Sequence, residues 1–200
     1  MSNGALPPAA VLVAQTVSDF DKWKSVFDEN EQARRAGGIL GHHVNRGEDD
    51  PNLVTVYLAV ADIDTARAFA ASDDLRERMK QAGATGPPQL TWLTPVREAI
   101  VWDREVPAFM LSHHVADFDR WLEGYDAAAS LQKAGGIIGQ AANRSLDDPS
   151  LAVVYHQAET FDTLREFLDM AELKEVMAEA GVVSTPEVTF WTGGWAGRYT

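Results

Sequence analysis

Five side chains in this sequence can take or give a proton near neutral pH, and all five are histidines. His42 and His43 are adjacent, His113 and His114 are adjacent, and His156 stands alone. The chain has no cysteine, so thiolate nucleophiles, disulfides and Cys-based zinc sites are excluded. It carries no Ser-His-Asp arrangement, no phosphate-cradling glycine loop and no HExxH motif. What remains is imidazole chemistry: a general base, an orienting hydrogen bond, or a metal ligand. Two ligands on one strand must be two residues apart to share a face, and adjacent pairs fail that test. A metal is therefore not expected unless a site is built across strands or across the two halves of the chain.

Those halves are visible as a repeat. "DFDKW" at Asp19–Trp23 returns as "DFDRW" at Asp117–Trp121, and the whole sequence aligns with itself at an offset of 98 residues without a gap. "AGGI" occurs at Ala36–Ile39 and Ala134–Ile137, and "DDP" at Asp49–Pro51 and Asp147–Pro149. Tyr57, Phe69, Leu75 and Met79 match Tyr155, Phe167, Leu173 and Met177. A unit this long is a domain, since solenoid periods run at about 20–50 residues.

Within a unit, Ala10–Val17 reads as a strand, and Asp19 caps a helix whose Phe20, Trp23 and Phe27 share one face. Gly37-Gly38 stops that helix. Ile39–Arg46 and Leu53–Val60 form a hairpin about "GEDDPN". Asp62 starts a second helix that Ser72 can recap and Gly83 ends, and Gln89–Leu93 is a last strand. The second half repeats the plan, from Ala108–Val115 to Glu187–Trp191. The order β-α-β-β-α-β is ferredoxin-like. Both sheet faces look apolar, so each sheet needs a second layer. The expected fold class is α+β: two ferredoxin-like β-α-β-β-α-β repeats packed sheet-to-sheet as an intramolecular dimeric α+β barrel. The expected domains are 6–95, an ordered linker 96–106, 107–193, and a tail 194–200. The linker is rich in apolar residues and reads as an extra bridging strand, with the tail in the equivalent place.

The net charge of −13 would repel phosphate backbones and anionic membranes, which argues against nucleic acid or membrane partners. The opening stretch has no basic n-region and no span of membrane length, so the expected location is cytoplasmic.

At this level of detail the unit resembles the dimeric α+β barrel superfamily. It is especially similar to small bacterial antibiotic-biosynthesis-monooxygenase-like or cyclase-like proteins. "VSDFDKWKSVFDE" at Val17–Glu29, "AGGILGHHVNRGEDDPNLVTVY" at Ala36–Tyr57, "ARAFAASDDLRERMKQAG" at Ala66–Gly83, and Pro88 carry the resemblance. It covers nearly the whole chain twice, more loosely in the second half. It implies a fused version of what are usually homodimers, hence a monomeric pseudo-dimer with room for further self-association. Relatives include cofactor-free quinol-forming oxygenases, polyketide cyclases, lactone isomerases and haem-degrading enzymes, with ligands held between the sheet and its helices. The haem enzymes take an axial His from a helix, and no predicted helix here contains His, so no cofactor is expected.

All five histidines differ between the halves: His113 aligns with Gln15, and His156 with Leu58. Each falls on a predicted strand, so one member of each adjacent pair faces the helices and the other the sheet interface. Phe109, Leu111, His113 and Val115 form the bulkier row of their strand, which places His113 on the helix side. The resemblance makes His113 the candidate catalytic residue, as base or orienting donor. Trp121, Tyr125, Tyr155 and His156 are candidates for the substrate wall, and Arg144 for the mouth. The substrate class is an aromatic, polyketide-like or lactone small molecule. The competing reading keeps His113 and Trp121 as structural residues and ties Arg46 and Arg144 to nearby aspartates, in a non-catalytic binding or interaction domain. A cavity of about 300 Å³ or more at His113 favours the enzyme, and a cavity filled by Trp121 and Phe167 favours the alternative.

Overall fold

Asp19 and Asp117 turn the chain from strand into helix at the head of each repeat. Both have extended backbone, and their carboxylates accept from the N–H of Lys22 at 2.8 Å and of Arg120 at 2.9 Å. Each thereby satisfies one of the donors that a helix start leaves open. The computed structural model describes residues 5–199. Residues 1–4 of the opening stretch, and Thr200 of the expected tail, lie outside the described residues.

The fold is α+β and consists of two ferredoxin-like repeats. The first comprises β1 (Ala9–Thr16), α1 (Phe20–Glu29), α2 (Glu31–Ala36), β2 (Ile39–Gly47), β3 (Leu53–Val60), α3 (Ile63–Ala70), α4 (Asp73–Gln81) and β4 (Gln89–Ala99). The second comprises β5 (Ala108–His114), α5 (Phe118–Ala127), α6 (Ala129–Ala134), β6 (Gly139–Ser145), β7 (Leu151–Gln157), α7 (Phe161–Asp169), α8 (Ala171–Glu179) and β8 (Glu187–Arg198). Every expected helix is thus two shorter ones. Ser72 recaps α4 as expected, its hydroxyl accepting from Leu75 N–H. The break at Asn30 was not expected. There the Asn30 amide donates to the carbonyl of Val26 at 2.7 Å and the Arg34 guanidinium to that of Phe27, so side chains satisfy the end of α1.

By its contacts the chain divides into a first unit, Pro7–Leu93 with the terminal segment from Gly193, and a second, Thr94–Thr192. The strands β4 and β8 are longer than sequence suggested, and each passes from one unit into the other. β8 passes on through Gly193 and Gly194, at φ 110° and 113°, a backbone that side chains rarely adopt. The first unit's sheet runs from the start of β4 through β1, β3 and β2 to the end of β8. The second unit's runs from the start of β8 through β5, β7 and β6 to the end of β4.

Helices cover one face of each sheet. In the first unit Val11, Val56 and Leu58 pack with Phe20 and Trp23; in the second Phe109, Leu111 and Val154 pack with Phe118, Trp121 and Phe167. The hairpins close on Asp50 and Asp148, whose carboxylates accept from the N–H two residues on, at 2.9 and 3.0 Å. Among the described residues no helix is long and apolar enough to cross a membrane.

The α6 stop at Gly135 is set by Phe167, which is 1% exposed. A Cβ on Gly135 would lie 2.4 Å from that ring. Gly135→Ala should therefore cost about 1–3 kcal/mol by overpacking, read as a lower midpoint in denaturant. An unchanged midpoint would mean that the ring has room to move.

Candidate functional site

A strand alternates its side chains between faces, and in β5 that parity puts Phe109, Leu111 and His113 against the helices. His113 is 3% exposed and meets Trp121 edge to face at 5.5 Å. Neither of its ring nitrogens has a hydrogen-bond partner. His114 points the other way, is half exposed, and lies 3.1 Å from Asp148. His42 and His43 divide in the same manner: His42 packs on Phe27 and Tyr199, while His43 is buried beside Asn45. Among the described residues no group of three His, Asp or Glu is arranged to hold a metal ion.

His113, Trp121, Tyr125 and His156 come together around one cavity in the second unit. Tyr125 donates its hydroxyl to Gln140 Oε1 at 2.9 Å and lies 3.0 Å from His156 Nε2. With the phenol proton so used, Nε2–H of His156 is the donor to the phenol oxygen. The Nδ1 of His156 is then a bare acceptor, buried without a partner. The remaining two expected residues are elsewhere. Tyr155 follows Val154 and precedes His156 on β7, so the pleat sends it to the opposite face, and it does not line the cavity. Arg144 ties the hairpin instead: Nε donates to the Pro149 carbonyl at 2.9 Å, and the guanidinium sits 4.8 Å over Phe118. Arg46 does the same with Pro51 and Phe20.

The cavity is about 50 Å³ and is walled in part by Trp121 and Phe167. At about 10–15 Å³ per water it holds roughly four waters. It falls well short of the 300 Å³ that would favour an enzyme. Burial first, and His114 second, lower the His113 pKa from 6.5 to about 4. The ring is neutral at pH 7 and free to accept a hydrogen bond, but it is a weaker base than an imidazole poised near neutrality. Burial alone lowers His156 to about 3. Tyr125 is pushed up by burial, so its phenol keeps its proton.

The first unit holds a larger cavity, about 110 Å³, in the equivalent place. Val13, Gln15, Trp23, Phe27, Phe69 and Arg34 are among the residues that line it. Gln15 occupies the position of His113 and is 7% exposed, and its Oε1 is buried without a partner. Arg34 is 5% exposed. The sequence reading passed over Arg34, although the spacing of Trp23, Phe27, Asn30 and Arg34 by four, three and four residues puts it on the buried helical face. It also passed over Tyr199, whose hydroxyl accepts from Arg34 Nε at 2.7 Å.

No family model matches this sequence, and no curated protein does. Solved structures do match. An anthrone oxidase-like protein is 13% identical with a TM-score of 0.68, the match covering 95% of this chain and 92% of that one. A candidate monooxygenase of Lactobacillus acidophilus is 13% identical with a TM-score of 0.65, covering 92% and 93%. A Listeria monocytogenes ferredoxin-fold protein related to antibiotic biosynthesis monooxygenases is 8% identical with a TM-score of 0.56, covering 94% and 95%. The chain therefore has the fold of antibiotic-biosynthesis-monooxygenase-like proteins along nearly its whole length. At these identities the likeness is one of fold, and fold does not fix chemistry.

Burial of these histidines makes stability depend on pH. The folded-state pKa values of His43, His113 and His156 all lie below the unfolded value of 6.5. Between pH 6.5 and about 4 the unfolded chain binds protons that the folded chain refuses. The contribution is complete above pH 6.5 and is lost on acidification, by about 1.4 kcal/mol per pH unit for each histidine. His113→Leu should make this acid limb shallower in denaturant titrations from pH 7 to 4.5. A limb of unchanged slope would show that His113 is not buried as described.

Proposed function

We propose that the protein binds a small, largely apolar organic molecule between the helices and the sheet, gripping it through the side chain at position 15 in one repeat and 113 in the other. One observation supports this reading. At the same register position of both repeats a buried polar side chain at a cavity wall has polar atoms without a partner: Oε1 of Gln15, and both ring nitrogens of His113. A buried polar atom left unbonded costs about 1–3 kcal/mol. Packing does not need that cost, since leucine would fill either position. A ligand that hydrogen-bonds there recovers it.

Catalysis is the second reading, favoured by the neutral state of His113. In it the imidazole takes a proton from a phenol, enol or lactone during cofactor-independent oxygenation, cyclisation or isomerisation, with Trp121, Tyr125 and His156 around the substrate. The size of the second cavity speaks for binding over turnover, and restricts any substrate there to few heavy atoms unless the wall moves.

A thermal-shift screen of single-ring phenols, quinols and lactones tests both. A ligand at a hundred times its Kd stabilises by about 2.7 kcal/mol. For a chain of this size that raises Tm by about 5–10 °C. Gln15→Leu and His113→Leu should keep or raise the unliganded Tm and lose part of the shift. Flat melting curves across all three classes would contradict the binding reading. Turnover of a binder that disappears in His113→Ala would establish the second reading, and turnover unaffected by that substitution would end it.

A further inference from the structure

Two guanidiniums line the first-unit cavity, and only one of them, Arg78, is paired with a carboxylate. Arg34 lines the cavity, and the ion pairs among the described residues do not include it. The nearby carboxylates are taken: Asp28 by Lys24 at 2.6 Å, Glu31 by Arg35 at 2.8 Å, and Asp74 by Arg78 at 2.8 Å. Two hydrogen bonds hold the guanidinium, from Nη1 to the Phe27 carbonyl and from Nε to the Tyr199 hydroxyl. The Tyr199 hydroxyl also hydrogen-bonds with His42 Nδ1, 2.7 Å away. Three of the guanidinium's five N–H groups have no part in these bonds. The ring of Phe27 lies 3.7 Å beneath it. That contact, a carbonyl and a phenol steady the charge but do not neutralise it, and buried arginines are ordinarily paired. His42 adds no further positive charge. Burial first and the Arg34 charge second lower its pKa to about 4, so it is neutral at pH 7.

The rest of the cavity adds three constraints. Trp23, Phe27 and Phe69 present ring faces and edges. Gln15 presents an acceptor that needs a donor. At about 10–15 Å³ per water, 110 Å³ holds roughly seven to eleven waters, about the bulk of one substituted ring.

We propose that the first-unit cavity is a binding site for a single-ring aromatic acid bearing a hydroxyl group, its carboxylate on Arg34 and its hydroxyl donating to Gln15. This rests on reading the helix–sheet cavity as a ligand site, and it names the ligand's charge and size. The second cavity lacks the charge, because Gln132 stands where Arg34 does in the first repeat. The two halves therefore differ in what they hold.

Calorimetric titration of the full chain with 4-hydroxybenzoate and with its neutral counterpart 4-hydroxybenzamide, at pH 7, tests the inference. The acid should bind at least about tenfold more tightly, as expected for a charge-assisted hydrogen bond. Arg34→Met should abolish that preference, and Arg34→Lys should keep it at reduced affinity, since the charge remains and the planar fork is lost. If Arg34→Met does not fold, Arg34→Lys and the unaltered chain still decide. Equal affinity for acid and amide overturns the anion assignment, and a preference that survives in Arg34→Met overturns the placing of the carboxylate on Arg34 rather than on Arg78, which also lines the cavity; either result leaves the cavity a ligand site. Binding of neither compound overturns the assignment as well, and a silent screen of neutral phenols and lactones would then remove the ligand-site reading with it.

Discussion

The two-residue period of β1 and β5 is the constraint on which the rest of this molecule depends. In each repeat, alternate residues of that strand meet helices on one face, and a shift of one residue would send the whole row to the other. The capping aspartates, Asp19 and Asp117, begin the following helix three residues after the strand and so fix which row it covers. Val11, Val13 and Gln15 face the helices in one repeat, and Phe109, Leu111 and His113 in the other. Gln15 and His113 are buried because that row is buried. Their unbonded atoms stand at cavity walls because helix pairs broken at Asn30 and Ala128 do not fill the space completely.

The two copies share the residues that pack and differ in polar residues at the cavity walls. Trp23 and Trp121, the capping aspartates and the hairpin arginines recur in both copies, where they hold helix to sheet and close the turns, and Phe69 and Phe167 recur against the helix-stop glycines Gly37 and Gly135. Of the side chains that line the cavities, Trp23 and Trp121, Phe69 and Phe167 are kept, while the polar ones diverge. Gln15, Phe27 and Arg34 in one copy stand where His113, Tyr125 and Gln132 stand in the other. One cavity gained a fixed positive charge, and the other a neutral imidazole beside a Tyr125–His156 pair. A common scaffold thus carries two cavities with different linings.

Much of this was legible in the residues. The repeat, the strand order and the helix-facing parity of His113 followed from periodicity, capping residues and bulk. Three features depart from the sequence reading. Tyr155 was assigned to the pocket wall for its chemistry, when its place next to His156 on one strand already put the two on opposite faces. Arg144 was assigned to the mouth for its charge, but its stem length and the nearby Pro149 carbonyl let it clamp the hairpin over Phe118. Arg34 was overlooked because an arginine in "EQARRA" reads as one more exposed charge. The spacing from Trp23 and Phe27 signals its buried face, but its bond to Tyr199, 165 positions away in sequence, has no local signal.

Nitrogen-15 NMR of the His113 ring, followed from pH 8 to pH 3.5, addresses the central point most directly. Burial on the helix-facing row, without hydrogen bonds, requires a ring that stays neutral through pH 6 and titrates with a midpoint near 4. A midpoint near the ordinary 6.5 would place the ring in water, and the row, the cavity wall and the proposed grip on a ligand would all lose their basis.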